Sequence, residues 1–159
     1  MSQAAPEIDG ELKTLVRAMD WLSTSMLASC GIGLAVVAFK TFFATLEIPK
    51  ALPFLSSLGT MAAAHGLFLG QLALARWIHA TDSRLGKGSA MALVQLSHPG
   101  QRRPWLQSPR SLAFLPPLAL GATALFFRGM DTLASLMSAT ACFFTFFEAF
   151  CLGFILKKG

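Results

Sequence analysis

Charge is in short supply in this chain. Asp, Glu, Lys and Arg make up 13% of its 159 residues, against roughly 25% in an ordinary soluble domain. A soluble fold of this size surrounds its core with a charged shell, and too few charged residues remain here to build one. Cysteine is sparser still. Cys30, Cys142 and Cys151 come without a Cys-x-x-Cys pair or a Cys–His cluster at metal-binding spacing, so neither a disulfide framework nor a metal site is expected. Small apolar packing is their expected role. Tyrosine is absent, while phenylalanine numbers 14, which implies broad apolar contact with lipid or neighbouring helices. Catalytic-triad spacing is missing, and Gly86-Lys87-Gly88 lacks the long glycine spacing of a nucleotide loop. An enzyme is therefore not expected. Nor is a cofactor, because no residue is marked as an axial partner to make His65 or His79 a haem ligand. A presequence is not expected either. The first twenty residues carry Glu7, Asp9, Glu11 and Asp20 against Lys13 and Arg17, the reverse of a secretory or organellar leader, so the first span is expected to be retained.

What the chain has instead is apolar length. Stretches 21–43, 53–77, 111–127 and 133–156 read as transmembrane helices, each close to or above the ~20 residues that cross ~30 Å of hydrocarbon. The third is the shortest and needs local bilayer thinning or shelter among its neighbours. The expected fold is all-α: a polytopic membrane protein of four transmembrane helices forming two hairpins. Its segments are a short amphipathic stretch at 1–20, a first hairpin at 21–77, an inward-facing loop at 78–110 and a second hairpin at 111–159. Threaded in order, one face collects Lys13, Arg17, Arg76, Arg84, Lys87, Arg102, Arg103, Arg110, Lys157 and Lys158, and the other only Lys40, Lys50 and Arg128. Basic excess marks the inward side, so both chain ends are expected there. Trp21, Trp77 and Trp105 all fall at inward span ends, where an indole is half buried with its N–H wet, and they are expected to anchor the interface.

The net charge of +5 follows from the same bias. Its bases are scattered around span ends rather than gathered in a stripe, so nucleic acid is not an expected partner. Membrane lipids are, with a modest pull toward anionic headgroups. The expected location is a bacterial or organellar inner membrane.

Local patterns refine this outline. Leu12, Leu15, Val16 and Met19 share one helical face opposite Glu11, Lys13 and Arg17, which suits a membrane surface or a partner. Pro53 suits the first position of the second span. In the long loop, Pro99, Pro104 and Pro109 forbid a continuous helix, and 89–97 is fit for an interfacial one. Pro116-Pro117 either marks the true start of the third span or breaks it, in which case the irregular backbone must be sheltered from lipid. Arg128-Gly129-Met130-Asp131 reads as a tight turn. Ala62, Gly66 and Gly70 recur every four residues, a small-residue face that lets another helix come close.

Two polar residues stand out at depth. His65 falls at the centre of the second span and Glu148 roughly 6 Å nearer the inward end of the fourth. They can meet if those helices touch. A charge at the bilayer centre costs at least ~2.5–3.5 kcal/mol on insertion scales, so Glu148 should be protonated, hydrogen-bonded or turned inward. Glu148 reads either as a proton or cation carrier with His65 as relay, or as a structural acid joined to neighbouring helices.

The hairpin bearing Arg128 and then Phe147-Glu148-Ala149 resembles the carboxylate hairpin of rotary ATPase proteolipids, which would imply proton carriage by Glu148. It departs from that family in having only Gly121 within 111–127, where the family carries dense glycine repeats. Arg128 also falls on the outward side. Arg76-Trp77-Ile78-His79 followed by Asp82 is similar in part to the membrane anchors of succinate dehydrogenase, with different spacing and one span more. Neither family is assigned. The expected function is an accessory or assembly subunit of a larger integral-membrane complex, respiratory or otherwise energy-transducing, with other integral-membrane subunits as partners. The alternative is a small proton-coupled transporter or proton-translocating subunit using Glu148.

Overall fold

A computed structural model describes residues 4–45, 47–96 and 109–157. Among the described residues the fold is all-helical, with no strand. Its helices are α1 (Ala4–Phe42), α2 (Ala51–Leu85), α3 (Ser89–Leu96), α4 (Pro109–Phe127) and α5 (Thr132–Lys157). Three stretches are long and apolar enough to cross a membrane: Gly10–Phe42, Ala51–Leu85 and Thr132–Leu152, with mean hydropathies of 1.8, 1.3 and 1.5. Ser111–Phe127 is apolar but shorter.

The first two helices run further than the span pattern implied. Helix α1 passes unbroken from the 1–20 segment into the first span. Leu12, Val16, Met19, Met26 and Cys30 form one stripe at three- to seven-residue steps and are buried in a single core. The amphipathic face thus finds its apolar partner inside the molecule. Helix α2 continues past Trp77 to Leu85, taking in residues that read as loop. It ends where Gly86 adopts φ +101° and donates its N–H to Asp82 O at 3.0 Å, a backbone state that glycine reaches without a side-chain clash.

Asp82 then serves the next helix. Its carboxylate accepts the N–H of Gly88 at 3.2 Å and of Ala90 at 2.9 Å. These are donors at the start of α3 that no helical carbonyl can reach. With its end fastened, α3 lies on α2 and buries Ala90 and Val94. Pro53 sits in the first turn of α2, at the third helical residue rather than the first. Its missing N–H costs nothing there, since first-turn N–H groups lack helical acceptors anyway. At the other hairpin, Asp131 Oδ1 accepts the N–H of Ala134 at 3.1 Å and so caps α5.

Helix α4 carries Pro116 and Pro117 inside it, so the span neither begins at Pro116 nor has an extended lead-in. Both rings are buried. They remove the two N–H groups that would have bonded the carbonyls of Leu112 and Ala113.

Contacts fix how the helices lie against each other. Leu22 faces Gly66, Met19 faces Gly70, Ser29 faces Gly59 and Gly33 faces Ser56, so α1 and α2 are antiparallel. The Ser56 hydroxyl donates to Ser29 O across this crossing at 2.8 Å. Ser135 Oγ donates to Ala124 O at 3.2 Å and Cys142 Sγ to Pro117 O at 3.2 Å, so α4 and α5 are antiparallel too. Ser138 meets Ser57 at 3.4 Å and Glu148 meets His65, so α2 and α5 run parallel. Helices α2 and α4 form the centre of the bundle, each touching both members of the other pair.

Candidate functional site

This register sets the depth of every side chain. Lys40, Lys50 and Arg128 come out level with one another at one end of the bundle. Counting back along α1 and α2, Asp20 lies level with Phe68 and Leu69, and the first turn of α4 stands at a similar height. Between the level of Lys40, Lys50 and Arg128 and the level of Asp20 the helices traverse about 28–30 Å at 1.5 Å per residue. Met19, Arg17 and the last turns of α2, together with α3, lie beyond the level of Asp20.

Within this frame His65 and Glu148 share one level, about 5–6 Å from the level of Asp20 and about 9 Å from the middle. The 6 Å offset read from span centres is absent because the spans are staggered: the second and fourth were centred independently, whereas the helices pack with their apolar parts shifted. His65 Nδ1 and Glu148 Oε1 bond each other across the α2–α5 seam. The His65 side chain is 58% exposed and that of Glu148 15%, so the ring stands on the bundle surface and covers a carboxyl set in the groove.

In a net-neutral pair, whichever atom holds the proton between Nδ1 and Oε1, Nε2 carries its own hydrogen. No described residue bonds Nε2. The site therefore presents one hydrogen-bond donor outward.

Behind Glu148 lies a small cavity walled by Gln71, Leu112, Ala113, Pro116, Thr145 and Glu148 itself, among others. Gln71 Oε1 is buried there with no hydrogen-bond partner. The Thr145 hydroxyl donates to Cys142 O at 3.1 Å. Leu112 and Ala113 are the residues whose carbonyls lost their helical donors to the two prolines. The cavity wall is mostly apolar, and Gln71 Oε1 is an acceptor in it without a donor.

The small-residue face of α2 divides. A Cβ on Gly66 would stand 3.0 and 3.3 Å from the Leu22 methyls, and one on Gly70 would stand 3.0 Å from Met19 Cγ. Both glycines therefore sit against α1, whereas Ala62 is exposed. The tightest approach lies elsewhere, at Ser29 and Gly33 against Ser56 and Gly59, where a Cβ on Gly33 or Gly59 would come within 2.7 or 2.8 Å of a serine hydroxyl. The signal for it was the small-residue spacing Ser25, Ser29, Gly33 on α1. Gln71 gave no such signal, since a single amide near a span end is ordinary. Trp21 is 70% exposed and level with Asp20. Trp77 is half-buried against the core about 14 Å further along, so these two do not mark one plane. Trp105 lies outside the described residues. Among the described residues no three His, Cys, Asp or Glu side chains gather where they could hold a metal ion.

Compared with known protein families, curated proteins and solved structures, the chain matches none of them.

Proposed function

We propose that the chain is a four-span integral-membrane protein of two hairpins, with both ends on the inward side, acting as an accessory or assembly subunit of a larger membrane complex. What supports four crossings is the spacing of two levels, one holding Lys40, Lys50 and Arg128 and the other Asp20. About 28–30 Å between them is close to the ~30 Å of a hydrocarbon core, and α4 runs from one level to the other with its proline pair sheltered by neighbours, as lipid requires of a weakened backbone.

The observation that carries the subunit reading is the exposed ring of His65 at apolar depth. Acyl chains offer its Nε2–H no acceptor, and an unbonded donor in hydrocarbon is costly. A neighbouring helix that brings a carbonyl, hydroxyl or amide oxygen removes that cost, and His side chains are known to bond across membrane helices in this way. Exposed Ala62, one turn away, lets such a helix approach.

The test is co-migration in mild detergent. Wild-type protein should run within a complex, and H65F, which keeps the ring's bulk but loses the donor, should weaken that association about 3- to 20-fold, the equivalent of one interhelical bond of ~0.6–1.7 kcal/mol. H65Q, which keeps an N–H, should recover part of it. A lone, monodisperse wild-type monomer overturns the reading.

A second reading is supported by the His65–Glu148 bond itself: a proton-translocating subunit working through that carboxyl. Replacing Glu148 with Gln separates the two. Loss of proton movement with the complex intact favours translocation, and loss that follows complex stability favours assembly.

A further inference from the structure

We propose that the cavity behind Glu148 holds a single water molecule and forms a proton access route from the inward face to the Glu148 carboxyl, with Gln71 as the positioning residue. The proposal rests on the four-crossing reading above.

Three independent observations meet at this place. The first is chemical: Gln71 Oε1 is buried and unpartnered, and Pro116 and Pro117 leave the Leu112 and Ala113 carbonyls without helical donors. Buried polar groups are nearly always satisfied, and Gln71 Oε1 is an acceptor, so the guest that satisfies it must donate. The second is volumetric. The space available to water centres is ≈ 20 Å³, above the ~10–15 Å³ that one water requires and too small for a chain of them. The third is positional. The cavity walls run from Thr145 past Glu148 to Leu152 on α5 and from Ala64 to Gln71 on α2, so by the register they pass the carboxyl and reach the level of Asp20. Toward Lys40 the walls end at Met26, Ala64 and Thr145, and the next pocket on the α2–α5 seam, between residues 54–61 and 137–141, is separate from it.

The exchange balances simply. Glu148 gives its carboxyl proton to the water oxygen as that water releases one of its own protons to solvent at the Gln71 end, and the reverse steps reload the carboxylate. Gln71 cannot relay a proton, because an amide oxygen is too weak a base. Its carbonyl accepts one water hydrogen and aims the molecule's oxygen at Glu148.

The experiment uses the full chain in sealed vesicles of known orientation, with the pH of each face set separately. The rate at which a hydrophobic carbodiimide modifies Glu148 reads its protonation. It should rise as inward pH falls and ignore outward pH. Deuterium exchange of the Glu148 carboxyl, followed by its infrared carbonyl stretch, should slow by ~10-fold or more in Q71L, the scale of losing an oriented hydrogen-bond partner. It should stay near wild type in Q71E, which keeps an acceptor. Modification that follows outward pH, or neither face, overturns the proposal. So does wild-type exchange in Q71L. If Q71L does not fold, the sidedness of modification in the unaltered protein still decides. Compartment-specific labelling of G129C and S83C reports the crossings alone, so a failure of the route is distinguishable from a failure of the four-span reading.

Discussion

The α1–α2 crossing offers the sharpest quantitative test, because two neighbouring glycines differ in what faces them. A methyl added at Gly33 would lie 2.7 Å from Ser56 Oγ, while one at Gly31 would meet nothing within 4 Å. Both positions lie inside α1, so any gain in helix propensity from Gly→Ala is common to the two variants. The contrast isolates the crossing. In G33A the Ser56 hydroxyl must swing away from Ser29 O, to which it now donates at 2.8 Å. That forfeits an interhelical bond of ~0.6–1.7 kcal/mol, and any residual overlap adds the ~1 kcal/mol or more typical of an overfilled site. G33A should therefore be less stable than G31A by about 1–3 kcal/mol in reversible unfolding by SDS in mixed micelles.

The second half of the test is a rescue. With Ser56 reduced to Ala, the nearest atoms to the new methyl are Thr123 Oγ1 at 3.7 Å and the residue 56 Cβ at 3.9 Å, both comfortable contacts. G33A combined with S56A should then cost less than the sum of the single changes. Equal stability of G33A and G31A within ~0.5 kcal/mol, or strict additivity of the pair, would refute the crossing geometry.

Other expected outcomes follow from single contacts. D131A removes the acceptor for the Ala134 N–H and should destabilise the second hairpin by about 1 kcal/mol in the same assay. D82A strips the acceptor from the Gly88 and Ala90 N–H groups; hydrogen exchange at 88–94 should accelerate while that of 60–70 is unchanged, and equal protection in both variants would contradict the fastening of α3. Adding a side chain at the α1-facing glycine in G66L should cost about 1–3 kcal/mol. A62L, on the exposed face, should leave isolated monomer stability nearly unchanged but weaken association with a partner helix.

Much of the architecture was legible from hydropathy alone, because a run of apolar residues without charge can only be satisfied by burial or lipid. The turn at 128–131 was equally plain: Asp131 supplies the cap, and Arg128 with Gly129 breaks the apolar pattern. The limits of α1 and α2 were not, since Leu12 and Val16 read as an amphipathic surface until Val94 and Leu74 are seen beside them in one core. Register was the larger gap. Periodicity tells which residues share a face but not which neighbour that face meets or at what height. Trp21 and Trp77 could thus be taken for one plane, and His65 for the centre of the bilayer. The His65–Glu148 pair could be proposed because two rare polar residues fell at similar depth. The cavity beside it could not, because it arises from the joint placement of Gln71 on α2 and the proline-weakened turn of α4.

Whether α4 crosses the bilayer decides between four spans and three. Single cysteines at Gly129 and Ser83, probed in oriented vesicles with a membrane-impermeant maleimide, read this directly after subtraction of the native thiols. The four-span arrangement predicts G129C labelled only from the compartment that reaches Lys50, and S83C only from the opposite one. Labelling of both positions from the same side would contradict it.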